Sequence, residues 1–293
     1  MRMSKYVLFV VLVSASLTLA QETGAKPTPG AFVQVNGGQI HYEECGRGPE
    51  AVILLHDGVA NSAVWDEVWP RFCKSFHTIR YDRRGYGRSP ETKSAYYEAD
   101  DLAALINNRK ISHAALVASS HGGQVAMEYA LRYPQFVEQL VVVGPGVTGF
   151  PYSEHFLMRE YNNQQSKKVQ DLIQASVQDQ YLIVPGHDAA RKRLREILTA
   201  APQDLTHNDM PLPEPSIFPQ VKELRIPTLV LIGSGDIADN QAVAGGLVVT
   251  IQGAARVVVP DAGHLMYLEK PEQFFGLVNI FLTLHGFQAS SGG

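Results

Sequence analysis

Apolar positions along this chain of 293 residues fall into two alternating patterns. Runs that are apolar at nearly every position occur at 51–55, 114–117, 139–143, 228–232 and 256–259, with a weaker one at 78–81. A strand covered on both faces looks like this, because its side chains meet packed helices whichever way they point. Residues 32–35 and 39–43 instead alternate around Asn36-Gly37-Gly38, a turn sequence that suits a β-hairpin. Between these runs, residues 62–72, 95–107, 124–133 and 271–284 read as helices. Strands and helices alternating over short loops predict an α/β fold, with a mostly parallel sheet of about eight strands and helices on both faces.

The alternation breaks between 148 and 215. Helical patterns at 153–165, 167–183 and 188–200 lead into the proline-rich Met210-Pro211-Leu212-Pro213-Glu214-Pro215. A helical insertion between two strands predicts a cap over the strand ends, where ligands bind in open α/β sheets. The expected division is a signal peptide at 1–20, a core at 21–147 and 216–287, a helical cap at 148–215 and a disordered tail at 288–293.

The signal peptide rests on two positive charges within 1–5, an apolar run of 15 residues at 6–20, and the small residues of Thr18-Leu19-Ala20 ahead of polar Gln21. The run is short for a membrane span, and an uncleaved N-terminal anchor is the alternative. Cleavage would remove Arg2 and Lys5 and take the formal charge from −4 to −6. The mature chain is expected to be secreted or periplasmic, mildly acidic, without stable membrane insertion, and a monomer or homodimer.

Composition narrows the chemistry. Hydrophobic residues make up 45% of the chain, enough for one large domain with an insertion. The 25 Lys and Arg are scattered, which argues against a nucleic-acid partner. The one basic cluster, Arg191-Lys192-Arg193 with Arg195, reads as the solvated face of a helix. Cys45 and Cys73 are the two cysteines, and no Cys/His spacing suits zinc, so neither metal nor cofactor is expected.

The stretch carrying chemistry is Leu116-Val117-Ala118-Ser119-Ser120-His121-Gly122-Gly123. A strand-like run ends in serine between small residues and leads into a helix, the pattern of a nucleophile elbow. Residues two positions either side of the serine must be small where strand and helix cross. Ala118 and Gly122 meet that need for Ser120, whereas Val117 and His121 would occupy those positions for Ser119.

Other motifs stand in order around it. His56-Asp57-Gly58 with Trp65 comes first, then Tyr81-Asp82-Arg83-Arg84-Gly85-Tyr86-Gly87-Arg88-Ser89-Pro90. After the elbow come Ile226-Pro227 leading into Leu229-Val230-Leu231-Ile232-Gly233-Ser234-Gly235-Asp236, and then Asp261-Ala262-Gly263-His264 with Glu269-Lys270-Pro271-Glu272-Gln273-Phe274. Together these resemble the α/β-hydrolase family over nearly all of 31–285. The resemblance implies a catalytic Ser120, Asp236 and His264, with backbone N–H groups of Gly58 and His121 as the oxyanion hole. Asp239 is a rival to Asp236, and Asp261 lies on the histidine's own loop. His56 would support the oxyanion loop, Asp82 and Arg83 would tie loops together, and His77, His113 and His285 would be structural. Phe150, Tyr152, His155, Phe156, Met158, Tyr161 and Tyr181 are candidates to line a pocket or to pack the cap. In this fold the second strand lies antiparallel to the fourth, which brings Cys45 and Cys73 to one sheet edge and implies a disulfide.

Three residues depart from the family pattern: Asp57 in place of glycine, Ala118 in place of glycine, and Ser119 in place of a bulkier residue. The carboxylate of Asp57 must point away from the oxyanion hole or be paired. The implied activity is hydrolysis of a small ester, lactone or related acyl substrate through an acyl-enzyme. The same triad also serves C–C bond hydrolysis, acyl transfer or peracid formation, and a receptor-like binder with little turnover is the non-enzymatic alternative. Ser120 argues against relatives that use an aspartate nucleophile.

Overall fold

The computed structural model describes residues 28–165, 168–206, 210–212 and 216–287; the expected signal peptide and the 288–293 tail lie outside them. Eight strands form one sheet: β1 (Thr28–Val35), β2 (Gly38–Cys45), β3 (Glu50–Leu55), β4 (Thr78–Tyr81), β5 (His113–Ser119), β6 (Val137–Val143), β7 (Thr228–Gly233) and β8 (Ala255–Val259). Their order is β1-β2-β4-β3-β5-β6-β7-β8. β2 runs antiparallel to both β1 and β4, and the remaining pairs are parallel. The expected α/β architecture is therefore present. β3, β5 and β6 are buried almost throughout, as their unbroken apolar runs require.

Helices α1 (Trp69–Ser75), α2 (Glu98–Asn108) and α3 (His121–Arg132) follow β3, β4 and β5. The insertion after β6 carries α4 (Glu154–Gln165), α5 (Val169–Gln178) and α6 (Asp188–Ala200), and α7 (Ala238–Thr250), α8 (Met266–Glu269) and α9 (Pro271–Leu284) complete the core. One face of the sheet packs on Trp65, Phe72, Tyr267, Phe274 and Phe281. The other packs on Leu102, Leu105, Val125, Tyr129 and Leu247. Among the described residues, no helix is long and apolar enough to cross a membrane. Cys45, at the end of β2, is disulfide-bonded to Cys73 in α1, with Cα atoms 5.4 Å apart.

Four local readings change. The helix expected at 62–72 is a 3₁₀ turn at Ser62–Trp65 followed by α1, which starts at Trp69 with Pro70, a residue suited to a first helical turn, in second place. The helix expected at 167–183 ends at Gln178, because Asp179 Oδ1 accepts from Tyr181 N (2.7 Å) and Leu182 N (3.2 Å) and turns the chain. Helix α7 was not foreseen: its interior, Gln241-Ala242-Val243-Ala244-Gly245-Gly246-Leu247, shows no polar stripe and includes two glycines. The basic cluster is also more than a solvated face. Arg191 donates to the carbonyls of Val177 and Ile183, and Arg193 pairs with Asp66, so both bind the insertion together and to the core.

Candidate active site

The turn from β5 to α3 places Ser120. Its φ of 52° and ψ of −117° are left-handed, a conformation costing a non-glycine residue on the order of 1–3 kcal/mol. Ser120 N donates to Val143 O at 2.9 Å, so the end of β6 holds the turn. A Cβ at Gly122 would stand 2.4 Å from His56 O and 2.8 Å from Leu55 O, which leaves room for glycine alone. Ser120 lines a cavity of about 570 Å³ beneath the insertion. Ser119 is wholly buried on the opposite side of the turn, with its hydroxyl 3.2 Å from that of Tyr267.

His264 and Asp236 line the same cavity. His264 Nδ1 lies 2.9 Å from Asp236 Oδ2, and Asp236 Oδ1 accepts from Ile237 N (2.7 Å) and Asn240 Nδ2 (2.9 Å). A proton on Nδ1 donated to the carboxylate leaves Nε2 as the basic nitrogen. Burial opposes the charged imidazolium. The charge and hydrogen bond of Asp236, with the charge of Asp57, outweigh that and raise the His264 pKa above its ordinary value, while Arg159 acts against them. Space for the ring depends on Gly144, with φ 50°: a Cβ there would lie 2.7 Å from His264 Nδ1 and 3.0 Å from Asp236 Oδ2. Neither rival aspartate reaches the histidine. Asp239 accepts from Ser153 N (2.6 Å) and Ser153 Oγ (2.8 Å); Asp261 is exposed and bonds Lys270 Nζ (2.9 Å) and His187 Nε2 (3.2 Å).

Gly58 and His121 also meet here. A Cβ on Gly58 would stand 3.6 Å from His121 Cβ, and both residues line the cavity. His121 opens α3, so its N–H has no acceptor within the helix and sits at the positive end of the helix dipole. Beneath Gly58, His56 Nδ1 donates to Asp57 O (2.7 Å) and its Nε2 accepts from Arg83 N (2.9 Å). Burial, aided by the charge of Arg83, pushes the His56 pKa down to about 4 and keeps the ring neutral. Arg83 donates to Asp57 O (2.6 Å) and to Glu98 Oε1 (2.6 Å). Asp82 accepts from Ser62 N (2.9 Å) and Arg88 N (3.0 Å). Burial would raise its pKa, but these bonds and that of His41 hold it down to about 2.

Several site residues had no signal in the sequence. Glu98 reaches the His121 ring only because α2 packs on α3. Its burial would raise its pKa, but the charges of His121 and Arg83 hold the carboxyl well below the usual range. Asp204, beside the cavity, accepts from Gly87 N (2.8 Å) and Asn61 Nδ2 (2.7 Å), joining the insertion to two core loops. Burial pushes its pKa up to about 7. The turn after α5 docks on the histidine loop, with His264 N donating to Tyr181 O (2.8 Å) and Leu265 N to Leu182 O (2.9 Å). Glu269 bridges the same two segments, accepting from Gly263 N and Val184 N, each at 2.7 Å. Among the cap aromatics, Tyr152, Phe156 and Tyr181 line the cavity. Phe150 packs on Phe218, His155 lies edge-on to Tyr181, Met158 is exposed, and the Tyr161 side chain lies outside the described residues.

Comparison with known proteins accords with this geometry. A model of the alpha/beta hydrolase family matches residues 52–277. A 2-hydroxy-6-oxo-6-phenylhexa-2,4-dienoate hydrolase of Comamonas testosteroni is 27% identical over 269 residues, covering 83% of this chain and 91% of the relative. A pimeloyl-[acyl-carrier protein] methyl ester esterase of Nitrosomonas europaea is 25% identical over 249 residues, covering 80% and 96%. Among solved structures, the enol-lactonase of Burkholderia xenovorans LB400 superposes with a TM-score of 0.74 at 23% identity, covering 86% of this chain and all of that one. These relatives are hydrolases, and the chain belongs to the alpha/beta hydrolase family as an enzyme of that fold.

Proposed function

We propose that the chain is an exported serine hydrolase that cleaves a small ester, lactone or related acyl substrate. The observation that carries this reading is the convergence of strained Ser120, the hydrogen-bonded His264–Asp236 pair and the neighbouring Gly58 and His121 on one cavity. A volume of about 570 Å³ suits a small-molecule ligand. Ser120 Oγ attacks the acyl carbon as His264 Nε2 takes its proton. The tetrahedral oxyanion rests on the N–H groups of Gly58 and His121, and Asp236 holds the imidazolium. His264 then gives the proton to the leaving group, and water repeats the sequence to release the acid. No metal or cofactor takes part in these steps. Export is supported by the N-terminal pattern and by the disulfide, which favours an oxidising compartment.

The test is a panel of nitrophenyl esters and lactones with wild type and Ser120→Ala. Loss of at least roughly 10⁴-fold in kcat is expected, with covalent labelling of the wild type at Ser120 by a fluorophosphonate. Turnover that survives in Ser120→Ala would refute the acyl-enzyme route. N-terminal sequencing of the secreted or periplasmic protein tests cleavage after Ala20.

A further inference from the structure

Asp57 and Ser119 have no task in those steps, yet both are wholly buried beside the site. Tyr267 joins them, its hydroxyl standing 2.6 Å from Asp57 Oδ2 and 3.2 Å from Ser119 Oγ. A carboxylate only accepts, so Tyr267 donates to Asp57 and Ser119 donates to Tyr267. The other oxygen of Asp57 accepts from Val59 N (2.6 Å) and Ala60 N (3.0 Å), which fixes the chain just beyond Gly58. The Tyr267 ring is itself held, 4.4 Å between centroids from Trp65 and 5.8 Å from Phe274. The Gly58 loop, the turn that carries Ser120 and the helix that follows His264 therefore all end on one carboxylate.

We propose that Asp57 and Tyr267 are positioning residues: Asp57 sets the Gly58 N–H as an oxyanion donor, and Tyr267 locks that donor to the nucleophile turn through Ser119. This inference rests on the roles given above to Ser120 and Gly58. Against the effect of burial, the charge of the same carboxylate adds to that of Asp236 in raising the His264 pKa. The other charged groups acting on His264 are Asp236 from the β7–α7 turn and Arg159 from α4. Those facing Asp57 are His56, Arg83, Tyr86, Asp204 and Tyr267.

The experiment compares wild type, Tyr267→Phe and Asp57→Asn with 4-nitrophenyl acetate and with a trifluoromethyl ketone as the tetrahedral mimic. Rates are expressed per site titrated with fluorophosphonate, so that only folded, competent enzyme is counted. Phenylalanine keeps the ring and removes only the hydroxyl. Its kcat is expected to fall roughly ten-fold with KM little changed, and ketone affinity to fall by the same factor. In Asp57→Asn the acid limb of kcat/KM is expected to move to lower pH. A Tyr267→Phe enzyme with wild-type kcat per site, or an unmoved acid limb in Asp57→Asn, would overturn the proposal. If wild type escapes labelling at Ser120, the catalytic reading falls and takes this one with it; labelled wild type with an indifferent Tyr267→Phe sinks the lock alone.

Discussion

Asp236 and Asp239 stand three residues apart around the start of α7 and bond different partners, Asp236 to His264 Nδ1 and Asp239 to both donors of Ser153, N and Oγ. One carboxylate orients the proposed base and the other anchors the first helix of the insertion. Asp236→Asn is expected to lower kcat by about 10⁴-fold, since the amide favours the wrong imidazole tautomer. Asp239→Asn keeps an acceptor for Ser153 N and should retain kcat within about ten-fold, with its main effect on KM. Steady-state kinetics of the two variants decide the matter, and equal losses would contradict the division.

The acid limb of kcat/KM is expected to have its midpoint above about 6.5, the ordinary imidazole value. In the proposed mechanism His264 must be neutral to accept the proton of Ser120, and against the opposing effect of burial its pKa is raised chiefly by Asp236. Activity is therefore present above the raised value and lost as pH falls through it. A rate profile from pH 5 to 9 measures this, and a midpoint below 6 would contradict it.

Gly144→Ala should leave the fold in place and disable the site. The added methyl would lie 2.7 Å from His264 Nδ1, at a φ that alanine resists. A loss of at least about 10²-fold in kcat is expected, with slower fluorophosphonate labelling and an unchanged far-UV circular dichroism spectrum. Gly122→Ala instead drives a methyl into the backbone at Leu55 and His56. It should fail at the level of stability, which thermal unfolding would report.

Reduction of the disulfide, or replacement of both cysteines by serine, should destabilise without touching the chemistry. The bond spans 28 residues of sequence, and the loop-entropy model gives about 3–4 kcal/mol for such a closure. A fall in Tm of roughly 10 °C is expected by calorimetry, with esterase rates at 25 °C close to wild type.

Much of the fold was legible because its signals are local. The apolar runs of β3, β5, β6 and β7 are uninterrupted, and the small residues around Ser120 are dictated by a steric crossing that a sequence displays directly. What stayed hidden depends on partners far away in the chain. Glu98 looks like an ordinary first-turn acid of a helix until α2 lies against α3. The charge of Asp57 could be flagged as needing a partner, but nothing in the sequence pointed to Tyr267, 210 residues away. Helix α7 escaped notice because a segment apolar all round carries no period to read. The end of α5 was missed because Asp179 turns the chain through its own side chain, and an aspartate is equally at home inside a polar helix face.

The docking of the Asp179 turn on the backbone of His264 and Leu265 bears on how such enzymes can diversify. The insertion is more than an interchangeable roof, because it supplies acceptors that hold His264, the proposed general base, in register. A substitute segment grafted in to change specificity would have to bring equivalent carbonyls, or the transplant would alter turnover along with selectivity. Variation is freer along Phe156, Leu172 and Ala175, which line the cavity. Directed evolution of specificity should therefore concentrate its gains there and tolerate little change between Asp179 and Ile183.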